Sequence, residues 1–164
     1  MFRETAPIGR LSVQLVFFRG ESECRASKWV TSGDQLTHLM NHIECETGPT
    51  QITRVLSHAL REAEKAPLQA VIYIGDCMEE EIDELAAMAG KLGELGTPLF
   101  VFHEGDDRKA EKAFRLMALR SGGKYFKFGI ETAHAIELLA NDLNAVARLA
   151  MGDTEALKQI GRSR

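Results

Sequence analysis

The chain has no apolar run approaching the roughly 20 residues that a membrane-spanning helix needs. It has no basic excess either. Its 20 Lys and Arg stand against 24 Asp and Glu, a formal net charge of -4. A dedicated nucleic-acid surface is therefore not expected. Cysteine is scarce: Cys24, Cys45 and Cys77 are an odd count without motif spacing, which fits free thiols in a reducing compartment. The N-terminus, Met1-Phe2-Arg3-Glu4-Thr5, lacks a signal-peptide pattern, so a cytoplasmic location is expected. Neither Gly-x-Gly-x-x-Gly nor the Walker glycine loop occurs, and nucleotide binding has no motif behind it. Internal repeats, low-complexity tracts and linkers are absent too. Residues 1–164 are expected to form one domain, with a disordered tail at 161–164.

What is present is an ordinary globular composition, 45% hydrophobic and 27% charged over 164 residues, enough for one sizeable core. Residues 11–18 begin by alternating and end continuously apolar, as a largely buried strand should. Residues 24–30 follow a Gly-containing turn and carry Arg25 and Lys28, charges that suit an antiparallel edge. Residues 35–43 and 50–64 have helical apolar spacing. Residues 70–74 are the clearest strand and stop at Gly75-Asp76. A helix over 79–95, a strand over 99–102, a helix over 109–120, a strand over 124–128 and a long helix over 132–151 complete the pattern. Gly152 interrupts that helix, and Asp153 can cap a last short one. Such alternation predicts an α/β three-layer sandwich, a mostly parallel Rossmann-like sheet with one antiparallel edge strand.

In an open α/β sheet, ligands gather at the carboxyl ends of the parallel strands. This chain places Arg19 and Glu21 after its first strand. Asp76, Cys77, Glu79 and Glu80 follow the next, and His103, Glu104, Asp106 and Asp107 the one after. The rim is rich in hard oxygen donors, the ligands magnesium and calcium prefer. Polar loops are also simply common, and Asp76 stands out because it directly follows a buried strand and a glycine.

Three segments taken together resemble the von Willebrand factor A domain family, in a cytoplasmic bacterial form. They are Gly48-Pro49-Thr50 opening an amphipathic helix, Val71-Ile72-Tyr73-Ile74-Gly75-Asp76 ending a strand, and Ser121-Gly122-Gly123-Lys124-Tyr125-Phe126 leading into a last strand. The resemblance implies a module that binds a protein partner through a metal-ion-dependent adhesion site. Its threonine would be Thr50 and its aspartate Asp76, with Glu21 and Glu104 as accessory donors. The family's Asp-x-Ser-x-Ser run after the first strand is missing, and no apolar strand precedes Leu11. Met1 is accordingly read as an internal methionine of a longer reading frame. Half a site should hold Mg2+ weakly or not at all. The absent strand would sit between residues 11–18 and 70–74. Those two strands are expected either to close up and pair directly or to take a strand from another chain, giving a homo-oligomer.

Other constellations carry less. His38 and His42 are four apart on a helix with Cys45 beyond, a spacing that can hold zinc, but no second ligand pair follows. Ser57 and His58 are adjacent on a helix and diverge. Carboxylate neighbours disfavour a Cys77 thiolate. Trp29 and the phenylalanines read as packing. With no nucleophile, base and orienting group in a set, the chain is not expected to be an enzyme. The competing expectations are a metal-assisted hydrolase using the acidic rim, and an assembly protein that joins chains through its sheet.

Overall fold

The computed structural model describes residues 11–44, 46–128, 144–149 and 152–158. The chain divides into two compact units, Met1–Pro49 with Glu137–Arg164, and Thr50–Ile136. Its architecture is α/β, with a three-stranded parallel sheet and a two-stranded antiparallel one.

In the first unit, β1 (Val16–Arg19) and β2 (Glu23–Ala26) form a hairpin in the register Val16↔Ala26 to Arg19↔Glu23. Gly20, at φ 56°, supplies the left-handed turn residue that a side chain would resist. The ladder is shorter than the 11–18 run suggests, and the cause is local. Leu15 N–H donates to the Ser27 hydroxyl at 3.0 Å, and Gln14 Nε2 donates to the Ser27 carbonyl at 2.9 Å. Ser27 N–H still donates to the Leu15 carbonyl at 2.8 Å, and reciprocal backbone pairing returns at an isolated Val13↔Val30 bridge. From Val16 back to Val13 is three steps, and from Ala26 on to Val30 is four, so one extra residue bulges on the second arm. The bulge breaks the alternation, and Trp29, expected to pack, is 44% exposed. Helix α1 (Gly33–Asn41) follows, its first turn capped by Ser32, which accepts from Gln35 N–H at 3.2 Å. Residues 144–149 are helical; the remainder of the expected 132–151 helix, and the 161–164 tail, lie outside the described residues. Gly152 breaks the chain at φ 95°. Asp153 then accepts from Ala156 N–H at 3.3 Å, opening the short 3-10 turn Thr154–Lys158.

The second unit runs α2 (Ile52–Lys65), β3 (Val71–Gly75), α3 (Ile82–Glu94), β4 (Leu99–Glu104), α4 (Arg108–Ser121) and β5 (Tyr125–Phe128). The strands lie in the order β3-β4-β5, all parallel. Right-handed crossovers in one direction put α3 and α4 on the same face of this sheet. Ring contacts identify the face that α4 covers: Tyr73 and His103 both meet Phe114 of α4 edge-on, with centroids 5.3 and 5.2 Å apart. The alternation then assigns Leu99, Val101 and His103 to the helix face, and Ile72, Ile74, Phe100, Phe102 and Phe126 to the other. Phe102 and Phe126 stack there at 4.9 Å. Leu99 through His103 are all buried, as befits a central parallel strand.

The Gly-Gly lead-in to β5 has a steric basis. Gly122 ends α4 in the left-handed region at φ 76°, the usual glycine cap. A Cβ on Gly123 would stand 2.0 Å from the Leu99 carbonyl oxygen. Ser121 adds a buried clamp: it accepts from Leu99 N–H and donates to the Ala118 carbonyl, each at 3.0 Å.

Among the described residues β1 has one ladder partner, β2, and β3 has one, β4.

Candidate functional site

β3 ends at Gly75, in register with His103 of β4, so Asp76 emerges beside Glu104 at the carboxyl end of the sheet. Asp76 is exposed, and Met78, two residues on, is buried to 3% and anchors the loop. His103 fixes the start of that loop. It is fully buried, with Nε2 3.2 Å from the Asp76 carbonyl oxygen and Nδ1 2.8 Å from the Tyr125 hydroxyl. A carbonyl can only accept, so Nε2 carries a proton; with a neutral ring, Nδ1 then accepts from the Tyr125 hydroxyl. Arg115 lies over the Tyr125 ring, 4.3 Å from its centre. Sequence reasoning placed His103 on the rim but did not give it this inward role; its position at the end of a continuously apolar run was the available signal.

Thr50 precedes α2 and meets the same loop. Its hydroxyl donates to Glu80 Oε2 at 2.5 Å and accepts from Glu79 N–H at 3.0 Å. Glu80 Oε1 also accepts from Ile52 N–H at 2.5 Å, and Oε2 from Glu79 N–H at 3.2 Å. One carboxylate thus satisfies the first N–H of α2, where the helix dipole favours negative charge. Burial alone would push the Glu80 pKa up, but the Thr50 hydroxyl and the backbone N–H groups hold it below its ordinary value. The loops carrying Thr50 and Asp76 therefore do come together, through Glu79 and Glu80. Glu80 was read only as one of several rim acids; a glutamate just before a helix carries no sequence signal for capping a different helix.

The other rim acids are partly committed. Asp107 caps α4, accepting from Ala110 N–H at 2.8 Å. Asp106 pairs with Lys127 at 2.7 Å, and Lys127 also reaches Glu111 at 3.4 Å. These contacts draw the Asp106 and Glu111 carboxyls below their usual range, Asp106 through Lys127 and Glu111 chiefly through Arg115. The Cys77 thiol is pushed up to about 11, first by burial and then by Asp76, Glu79 and Asp107, which disfavours the thiolate. Glu21 lies exposed on the β1–β2 turn of the other unit.

Among the described residues no group of three or more His, Cys, Asp or Glu is placed to hold a metal. Thr50 and Asp76 supply one hydroxyl and one carboxylate, and the Thr50 hydroxyl is already engaged twice. That donor set fits a complete magnesium shell poorly. The rings of His38 and His42 lie 4.2 Å apart, with His42 Nδ1 donating to the His38 carbonyl at 2.6 Å; Cys45 is outside the described residues. Ser57 and His58 are neighbours on α2. No helix among the described residues is long and apolar enough to cross a membrane. Compared with known proteins, the chain matches no family model, no curated protein and no solved structure.

Proposed function

We propose that this chain is a non-catalytic protein-interaction module of the von Willebrand factor A type, working in the cytoplasm, with its recognition surface at the carboxyl end of the parallel sheet. One observation carries the reading: the loop that opens α2 at Thr50 and the loop that leaves β3 at Asp76 are tied together at that end, through Glu79 and Glu80. That is the juxtaposition on which the resembling family builds its partner-binding site. In this chain the metal site is incomplete, and Mg2+ contributes weakly or not at all. The partner is a protein that presents basic groups to Asp76, Glu79 and Glu104, because carboxylates at the rim select opposite charge.

The test is binding of a lysine- and arginine-containing peptide array to the immobilised chain, with and without Mg2+. Hits should weaken as salt rises and should be lost in Asp76→Asn/Glu79→Gln but kept in Glu64→Gln, a control on the exposed side of α2. Binding that ignores the rim substitution overturns the reading. So does hydrolysis of phosphate or acyl ester substrates with Mg2+ or Mn2+ that Asp76→Asn abolishes; that result would favour the metal-assisted hydrolase.

A further inference from the structure

The clearest anomaly lies on β3. Val71 N–H donates to the Pro98 carbonyl at 2.9 Å, and Val71 is in register with Leu99. In a parallel ladder the backbone groups of alternate residues face opposite neighbours. Val71, Tyr73 and Gly75 therefore bond to β4, and the N–H and C=O groups of Ile72 and Ile74 point away from it. Among the described residues β3 has no strand on that side. The side chains of the same two residues are exposed, Ile72 by 39% and Ile74 by 51%, whereas their register partners Phe100 and Phe102 are 1% and 0% exposed. Edge strands are normally blunted by lysine, proline, an inward charge or a bulge. Val-Ile-Tyr-Ile-Gly has none of these.

We propose that the open edge of β3 is a self-association surface, on which β3 pairs antiparallel with β3 of a second copy about a two-fold axis at Tyr73. The register follows from the alternation. With Tyr73 facing Tyr73 of the second copy, Ile72 stands opposite Ile74 of the second copy, and Ile74 opposite its Ile72. Both pairs consist of residues whose N–H and C=O point outward, so each is a hydrogen-bonded pair exchanging two bonds. Four outward donors and acceptors per chain are satisfied in one step. The same register gathers four isoleucine side chains on one face, where directly opposed β-branched residues stabilise a pair. The strand is uncharged from Val71 to Gly75, so like meets like without repulsion, and an isologous contact closes both edges together. A charged strand would forfeit the isoleucine cluster. A contact of a single strand pair falls below the size of stable interfaces, so the association is reversible and concentration-dependent.

Sedimentation of the full chain from low micromolar to near-millimolar concentration tests this. A monomer–dimer equilibrium is expected, weakened at least about tenfold by Ile72→Lys/Ile74→Lys. Both positions are exposed, so the fold should tolerate lysine; circular dichroism checks it. A second measurement fixes the register. Ile72→Cys mixed with Ile74→Cys should form a disulfide-linked dimer on mild oxidation, because opposed strand residues lie within disulfide reach, and neither variant alone should do so to the same extent. A monomer at every concentration, a dimer indifferent to the lysine pair, or equal cross-linking of each cysteine variant with itself overturns the proposal. The isoleucine variants leave Asp76 and Glu79 untouched, so peptide binding at the rim is scored separately.

Discussion

The β1–β2 hairpin carries Arg19, Glu23 and Arg25 in its ladder, whereas β3 and the buried part of β4 carry no full charge, and the two regions are held by different forces. No residue of β1 or β2 is fully buried, while β4 is buried from Leu99 to His103. The hairpin relies on its turn and its few ladder bonds, with the ion pairs of Glu23 to Arg19, at 2.6 Å, and to Arg25 lying at its solvent-facing side. The parallel sheet relies on packing, with polar groups used only where backbone would otherwise go unpaired. The lesson is that composition and covered faces go together: the strand with two charges stays open to solvent, and the apolar one is enclosed.

The sharpest way to break the comparison is a truncation in each region. Phe102→Ala removes a fully buried ring stacked on Phe126 and should cost about 3–5 kcal/mol; Phe17→Ala, on the half-buried hairpin, should cost well under half of that in the same urea titration. Equal losses would erase the distinction.

Glu80→Ala comes next. It strips the cap from Thr50 and Ile52 and should cost about 1–2 kcal/mol, the range for losing a helix cap. Because the folded pKa of Glu80 is depressed, its contribution is present above the ordinary glutamate value and is lost as pH falls through the folded one. The gap between wild type and variant should therefore narrow under acid. A gap that widens as pH falls would exclude the assigned hydrogen bonds.

The smallest effect belongs to the hairpin charges. The Glu23 carboxyl is held below its usual range by the Arg19 hydrogen bond, but the pair meets solvent, and exposed pairs contribute little. Glu23→Gln should leave the thermal midpoint nearly unchanged, and what difference remains should vanish in high salt. A large, salt-resistant loss would show that the hairpin is held by charge after all.

The fold class was legible because the parallel unit is locally consistent. β3 and β4 open as apolar runs, β5 is aromatic apart from Lys127, and each of α2, α3 and α4 has a helical apolar face. The hairpin was less so: the 11–18 run looks like one strand, but the Ser27 hydroxyl takes the Leu15 N–H, and no periodicity encodes that bond. Trp29 was misplaced for the same reason. At the rim, strand-end reasoning named Asp76 but not Thr50; the approach of the Thr50 loop was implied only by the family resemblance, and neither pointed to the Glu80 cap. Capping across 28 residues is a tertiary contact between Ile52 and Glu80, invisible to spacing rules that work within one helix. His103 escaped because a histidine at a strand end reads as a surface group until its two partners are known.

His103 also has a mechanical consequence. Its ring spans from Tyr125 of β5, across β4, to the Asp76 carbonyl just past β3, and both hydrogen bonds point the same way, from hydroxyl to ring to carbonyl. The strand ends are thus riveted sideways at the point where the ladder runs out. Pulling the Asp76 loop outward would load the ring and, through it, Tyr125 and the Arg115 guanidinium stacked on it. A force applied at the rim therefore has a second path, through the ring to β5 and α4, beside the ladder bonds of β3.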